Sequence, residues 1–213
     1  MASRSSAAVA RAGRPRSDAK RQAVLKAATA AFMEHGFGGT RMDIVAELAG
    51  VSKMTIYRYF DSKEALFAGV IVDTCERIVD DDLAALMVDR PVEEALRAFG
   101  RRMLAIIFSP EAIALHRIVI AESRRFPKLG ALFYESGPQG SIAVLADYLS
   151  QHADDPSLRI RDPWRAAEEF LELLRGYSHL RLLLGIESKQ SERELRDRVE
   201  RAVNHLLTDG RRD

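Results

Sequence analysis

Between Thr40 and Phe60 the chain reads "TRMDIVAELAGVSKMTIYRYF", two short stretches with apolar residues at helical spacing, parted by Gly50. No other feature limits the fold so tightly. Thr40, with Asp43 three residues on, has the spacing of a capping box, and Ser52 stands where a second helix needs its first cap. Ile44, Val45 and Leu48 are expected to form the buried face of the first helix, and Gly50 to turn the chain. Two short helices joined by a tight glycine turn are a helix-turn-helix signature. On the second helix Ile56 and Phe60 are apolar and four apart, so they face inward. At about 100° per residue Met54 and Arg58 then point most directly outward, flanked by Thr55 and Tyr57, with Lys53 and Tyr59 at the margins. A long cation, hydroxyls and an apolar tip suit base edges and phosphates in the major groove of double-stranded DNA.

The flanking sequence extends this reading. Residues 1–17, "MASRSSAAVARAGRPRS", are expected to be a flexible basic arm, since Gly13 and Pro15 sit among Arg11, Arg14 and Arg16. Such an arm is either a solvated tail or a strand lying along DNA. A helix follows from Asp18 to Glu34, with Val24, Ala28, Ala31 and Phe32 on one face and Gly36 as its stop. Asp61 or Ser62 caps a further helix from Lys63 to about Asp80. Charge is uneven along the chain. Residues 1–70 hold 11 Lys+Arg against 6 Asp+Glu, and the remainder 21 against 25. A basic head on a mildly acidic body suits contact with a polyanion.

Beyond a short linker near 80–91, longer helices are expected at about 91–108, 110–125, 128–152 with a break near Gly137-Pro138, 163–185 and 191–208. No strand pattern of useful length occurs. The fold class is therefore all-α, a three-helix DNA-binding head over 18–62 and a larger helical domain over 63–213, for which ligand binding and dimerisation are what the family resemblance given below implies. In "PWRAAEEFLELLRGYSHLRLLLG" the apolar residues cannot share one stripe, so this helix needs partners on several sides. The last helix adds Leu195, Val199, Ala202 and Leu206. Two such helices per chain would form a four-helix homodimer seam; the alternative is that both finish the core of a single chain.

Several function classes are excluded or unsupported. No apolar run approaches the roughly 20 residues of a membrane span, and the N-terminus lacks the apolar core of a secretory signal. The lone Cys75 forbids an internal disulfide framework and fits a reducing, cytoplasmic setting; it is expected to be structural rather than a redox switch. No phosphate-binding loop, H-E-x-x-H or G-x-S-x-G pattern occurs, and His35, His116, His152, His179 and His205 share no metal-ligand spacing. Neither an enzyme, a metal site nor a cofactor is expected. In the larger domain the polar groups on apolar helices are His116, Glu122, Arg175, Tyr177 and His179, with Phe108, Phe133, Tyr134, Trp164 and Phe170 as aromatic candidates. Phe108, His116, Phe133 and Tyr177 are expected to line a mostly apolar ligand cavity.

The stretch "TRMDIVAELAGVSKMTIYRYFDSKEALF", Thr40 to Phe67, closely resembles the DNA-binding domain of TetR/AcrR-family transcriptional regulators. The preceding "GRPRSDAKRQAVLKAATAAFMEHGF" resembles that family's arm and first helix, and "HRIVIAESRRFPKLGALFYESGP" resembles the ligand domain of an AefR-like branch. The resemblance implies a cytoplasmic, all-α homodimer that represses transcription and releases its operator when a small molecule, here unknown, shifts the two heads. Residue by residue, it implies that Thr40 and Arg41 touch phosphate at the start of the second helix. It likewise implies that Ser52, Lys53, Thr55, Tyr57 and Tyr59 contact DNA, and that Lys63 meets a phosphate at the start of the fourth helix. Met54 departs from the small residue many relatives carry, which puts transfer of any relative's operator in doubt. The competing class is a DNA-binding or scaffold protein with no small-molecule effector.

Overall fold

A computed structural model describes residues 14–79, 82–186 and 190–207. Among these the chain is α-helical, with no strand and one isolated antiparallel bridge between Leu158 and Leu207. It divides into two compact units, one ending at Asp73 and one beginning at Thr74.

The first unit contains α1 (Arg14–Gly39), α2 (Met42–Ala49), α3 (Lys53–Tyr59) and the first half of α4 (Lys63–Val79). Residues 1–13 of the expected arm lie outside the described residues. Arg14 to Ser17, also expected in the arm, form the opening turn of α1. Pro15 does not prevent this, because a first-turn residue has no helical partner for its N–H to lose. Gly36, with φ +67°, ends the regular helix as expected. Val24, Ala28, Ala31 and Phe32 are fully buried. The Phe32 ring meets Phe67 edge-on at 4.8 Å, and Phe37 lies 5.4 Å from Phe67. Phe67, Leu66 and Val70 on α4 thus complete this core, so the unit extends beyond the expected boundary at 62.

The start of α2 departs from expectation. Thr40 is 2 % exposed, and its hydroxyl donates to the carbonyls of Gly36 at 2.7 Å and Ala31 at 3.0 Å. It ties α2 to the end of α1 and caps nothing. Arg41 occupies the N-cap position without a side-chain capping bond, so the expected capping box does not form. The buried face is Met42, Val45 and Ala46; Ile44 is half-buried and Leu48 is 57 % exposed. Gly50, in the left-handed region, returns its amide to Ala46 and Glu47 and turns the chain.

The second unit contains the rest of α4, then α5 (Asp82–Ala85), α6 (Val92–Ile107), α7 (Pro110–Ser123), α8 (Pro127–Tyr134), α9 (Gly140–Gln151), α10 (Pro163–Leu183) and α11 (Glu192–Leu206). The break expected near Gly137-Pro138 is a π-helical turn over Glu135–Gln139, which accommodates a proline with no amide to donate. Phe99, Phe170, Leu174 and Val203 are buried at the centre of the bundle. Gly100 lets its neighbours close in: a Cβ there would lie 3.1 Å from Val199 Cγ1 and 3.3 Å from Phe170 Cζ. Val199, Ala202 and Leu206 of α11 are buried in this same core and Leu195 packs against it. The apolar stripe of α11 is therefore spent within one chain and is not free for the expected seam.

α10 is broken at Gly176, whose φ of +50° and ψ of −170° leave the helix. Arg198 reaches across from α11 to fill the gap. Its Nη1 donates to the carbonyls of Leu174 at 3.1 Å and Arg175 at 2.6 Å, and its Nη2 donates to Ser178 Oγ and Gln190 Oε1, both at 2.9 Å. Past the break, Tyr177 is 81 % exposed, in an outward apolar series with Leu173, Leu180 and Leu184. Arg198→Met should therefore lower stability by about 2–4 kcal/mol, through lost charge-assisted hydrogen bonds and orphaned buried acceptors. Gly176→Ala should cost about 1–3 kcal/mol through strain at positive φ. Urea unfolding followed by Trp164 fluorescence measures both; losses below about 0.5 kcal/mol, the range of surface substitutions, would show that the break is not braced this way.

Candidate functional site

In the first unit, α3 is fixed at both ends. Ser52 Oγ accepts from the Thr55 amide at 3.2 Å, and the Ser52 and Thr55 hydroxyls lie 2.8 Å apart. Ile56 and Phe60 are buried, which turns the opposite face outward. Met54 is 77 % exposed, and Tyr57 and Arg58 are exposed beside it. Together with Thr55 these three side chains enclose a shallow concavity. The helix is roughly 10 Å long at about 1.5 Å per residue, which suits a major groove about 12 Å wide.

The cations around this face have definite local partners. Arg58 lies over the ring of Tyr59, 5.1 Å from its centre, and donates to Tyr59 Oη at 3.2 Å. Lys53 is paired with Asp43 of α2 at 2.9 Å, and Arg41 lies 3.8 Å from the same carboxylate. Asp43 thus orients two basic side chains, a role its place in a capping-box pattern concealed. Lys63 donates to the Gly38 carbonyl at 3.3 Å and sits 4.7 Å from the centre of the Phe37 ring. It begins α4, where Ser62 Oγ accepts from the Ala65 amide. The structure therefore gathers Ser52, Lys53, Met54, Thr55, Tyr57, Arg58 and Tyr59 on one short helix and sets Arg41 and Lys63 at the starts of its neighbours. Thr40 is the exception. Its hydroxyl points inward and is spent on α1, so the phosphate contact implied for it has no hydroxyl to make it.

In the second unit a cavity of about 570 Å³, counted to its open mouth, is walled by α4, α6, α7, α8, the π-turn, α9 and α10. Met103, Ile106, Ile107, Leu115, Phe133 and Pro138 supply apolar wall, and Cys75, His116, Ser141, Arg175 and His179 are the polar residues of the lining. Of the four expected lining residues, His116 and Phe133 are present, with ring centres 5.1 Å apart. Phe108 stands behind the lining, edge-on to His179 at 6.0 Å and under the Arg198 guanidinium at 5.4 Å. Tyr177 is not in the cavity. In an unbroken helix it would follow Phe170 by two turns and share its buried face; the break at Gly176 turns it outward. Arg175 and His179, adjacent to that break, take the place expected for Tyr177. A wider groove between the Ala84–Arg90 segment and α9 is larger, about 1070 Å³, but open and rimmed by Asp89, Arg90, Asp147 and His152.

The electrostatics of the cavity follow from burial. Burial, with an added contribution from Glu76, pushes the Cys75 thiol up to about 11, so it stays protonated and is a poor redox sensor. Burial, then the positive charge of Arg175, holds His116 below its ordinary value. Burial, then His116 and Arg175, pushes His179 down to about 4. Between about 4 and 6.5 the unfolded chain binds more protons at His179 than the folded chain does, so stability falls as pH drops through that window. Unfolding midpoints at about pH 7.5 and 5 should therefore differ more for the wild type than for His179→Phe; an unchanged difference would place the acid sensitivity elsewhere.

Comparison with known proteins agrees with this geometry. Residues 24–70 match the model described as "Bacterial regulatory proteins, tetR family", and residues 94–209 match "AefR-like transcriptional repressor, C-terminal domain". The HTH-type transcriptional regulator RutR of Escherichia coli K12 is 37 % identical over 115 residues, which cover 54 % of this chain and 46 % of RutR. The match thus spans about half the length of that curated relative. A solved TetR-family regulator from Mesorhizobium loti MAFF303099 superposes with a TM-score of 0.83 at 29 % identity, covering 89 % of this chain and 96 % of that one. The flavonoid-responsive regulator FrrA is 40 % identical, with a TM-score of 0.68 and coverage of 88 % and 95 %. The two family matches fall on the two units that carry the outward α3 face and the cavity, and the chain belongs to the TetR family of transcriptional regulators, with an AefR-like C-terminal domain.

Proposed function

We propose that this chain is a cytoplasmic, homodimeric repressor that grips operator DNA through α3 and lets go when a small molecule fills the cavity of its second unit. The observation that carries this reading is the α3 face itself. Met54, Tyr57 and Arg58 stand outward on a helix whose inner face is fully used by Ile56 and Phe60, so their chemistry has no role inside the fold. Family membership supports the DNA-binding role and the dimer. Two heads would enter successive major grooves about one helical turn apart. Phosphate contacts from Arg41, Lys53, Tyr57, Tyr59 and Lys63 would supply salt-sensitive affinity, and Met54, Thr55 and Arg58 would supply sequence choice.

The dimer seam in this reading is the outward series Leu173, Tyr177, Leu180 and Leu184 on α10. Past the break Tyr177, Leu180 and Leu184 recur at intervals of three and four, the spacing of a helix-packing stripe, and Leu173 is exposed just before it. α11 can add only its outer face, where Arg193, Arg196, Asp197 and Arg201 are exposed. The effector class is suggested by FrrA, a flavonoid-responsive regulator, and the mostly apolar wall of the cavity is compatible with a flat aromatic molecule of that kind. α4 is the element through which occupancy would act. It is one helix from Lys63 to Val79, with Phe67 in the core of the first unit and Cys75 on the cavity wall. A coupling of about 1–3 kcal/mol suffices for such a switch.

Fluorescence anisotropy tests the reading on the DNA upstream of the chain's own gene, against a scrambled duplex and across a salt series. A preference of about 10³ or more with a steep salt slope is expected. Arg58→Ala should cost about 1–3 kcal/mol on the preferred site and less on scrambled DNA; equal losses on both would move Arg58 to the phosphate class. Binding to no DNA at all, including a pool of random sequence, would end the operator reading. Leu180→Arg should yield monomers in analytical ultracentrifugation and weaken binding to a two-half-site duplex at least about tenfold. A Leu180→Arg dimer with unaltered DNA affinity would remove α10 from the seam.

A further inference from the structure

We infer that the cavity holds its ligand by one acidic oxygen, a phenolate or a carboxylate of a flat aromatic molecule, placed in the corner formed by His116, Arg175 and His179. This rests on the reading of the cavity as an effector site and adds to it the chemical group that is recognised.

The polar side chains of the lining are unevenly placed and unevenly satisfied. Ser141 Oγ is committed to the Gly137 carbonyl at 3.2 Å, and the Cys75 thiol stays protonated against the π-turn. That leaves the two imidazoles and the guanidinium. His116 on α7 and His179 on α10 have ring centres 5.3 Å apart. Neither ring makes a hydrogen bond to another described residue, although His179 is only 8 % exposed. The buried side-chain atoms without a partner among the described residues are Tyr148 Oη and Arg198 Nε, so the imidazole nitrogens are not sealed in protein: they open onto the cavity space and can take a partner there. The partner can arrive only from the cavity that both rings line.

Charge decides what the partner is. Arg175 lines the same corner, and its counter-ion Glu172, bonded to Nη1 at 2.6 Å, is itself mostly exposed and is not part of the lining. The corner therefore presents a cation and two donor-capable rings with no carboxylate among them. A cationic ligand would meet repulsion from Arg175. A ligand with no polar atom would leave three polar groups dry. A neutral carbonyl would satisfy a donor but leave the guanidinium without a charge partner inside the cavity. An acidic oxygen answers all three, because it accepts from Arg175 and from an N–H of each imidazole, and hydrogen bonds between ionised partners are the stronger kind. Phe133, 5.1 Å from the His116 ring, together with Met103, Ile106, Ile107 and Leu115, provides the apolar walls for the rest of the molecule. The break at Gly176 helps hold the corner in shape, since Arg198 clasps the Arg175 carbonyl on one side of it and Ser178 on the other.

Isothermal titration of the full chain at about pH 8 with two matched pairs tests this without DNA. The first pair is 7-hydroxyflavone and flavone, and the second is 2-naphthoate and 2-naphthamide. The acid of a pair is expected to bind about tenfold tighter or more than its neutral partner, and a preference in one pair alone identifies which acid, phenol or carboxylate, the corner selects. Arg175→Met should erase that preference while leaving flavone and naphthamide within about threefold of their wild-type affinities, a shift below 1 kcal/mol. His179→Phe, which keeps the cavity filled and uncharged, carries the same expectation and serves if Arg175→Met does not fold. Equal affinities within both pairs overturn the anchor and leave the cavity standing as an effector site. Binding by none of the four overturns both.

Discussion

Much of the second unit hangs on one guanidinium. Arg198 leaves α11, crosses to the place where α10 breaks, and takes the carbonyls of Leu174 and Arg175 that a continuous helix would engage itself. An arginine suits the task because its planar fork offers several donors in fixed directions, whereas a lysine would present a single ammonium. The same residue stacks on Phe108 and bonds Ser178, so the break, the final helix and the aromatic group behind the cavity are set by one side chain. Gly176 is the matching requirement. Its φ of +50° is open to glycine at little cost, and a Cβ there would lie 3.2 Å from Arg198 Nη1.

From that clasp two surfaces follow. Before the break α10 buries Phe170, Leu171 and Leu174 in its own bundle. After it the helix is rephased, so Tyr177, Leu180 and Leu184 face away from the bundle while Ser178 and His179 face in. A regular helix of this composition would have placed Tyr177 on the face of Phe170. The break therefore supplies both the polar corner of the cavity and the apolar stripe proposed as the dimer seam. Arg117 secures the far end by donating to the carbonyls of Leu182 and Leu183, which lie in the last turn of α10.

What could be read in the sequence was what depends on near neighbours. The Ser52 cap, the inward pair Ile56 and Phe60, the outward Met54 and Arg58, and the interruption at Gly137-Pro138 are set within a few residues, and all take their expected places. The misreadings come from contacts that no local pattern reveals. Thr40 has the spacing of a capping residue, yet its hydroxyl turns back to the carbonyls of Gly36 and of Ala31, the latter nine residues earlier in the buried part of α1. The stripe on α11 was legible as a stripe, but whether it closes its own core or a partner's depends on Phe99 and Phe170 being there to receive it. Tyr177 is expected in the cavity as a polar group on an apolar helix and lies outside it; the glycine within "LLRGYSHL" is the available signal that the helix is interrupted just before it.

The position of Cys75 shows how a cavity wall can be both sensitive and inert. Gly137 in the π-turn has no side chain, and a Cβ there would lie 3.1 Å from Cys75 Sγ, so α4 and the turn touch through the thiol. Burial keeps that thiol protonated, which removes the chemistry and leaves only its volume. A ligand entering beside it meets a closely packed wall, and close-packed interiors pass on displacement instead of absorbing it. The wall belongs to a helix held at this end by the Arg77 to Glu111 ion pair at 2.9 Å and at the other by Phe67 among its rings. Exposed ion pairs contribute little and release easily, while a buried aromatic cluster does not. Under the proposed switch, then, displacement begins where Cys75 meets the π-turn, while Phe67 stays fixed among the rings of the first unit.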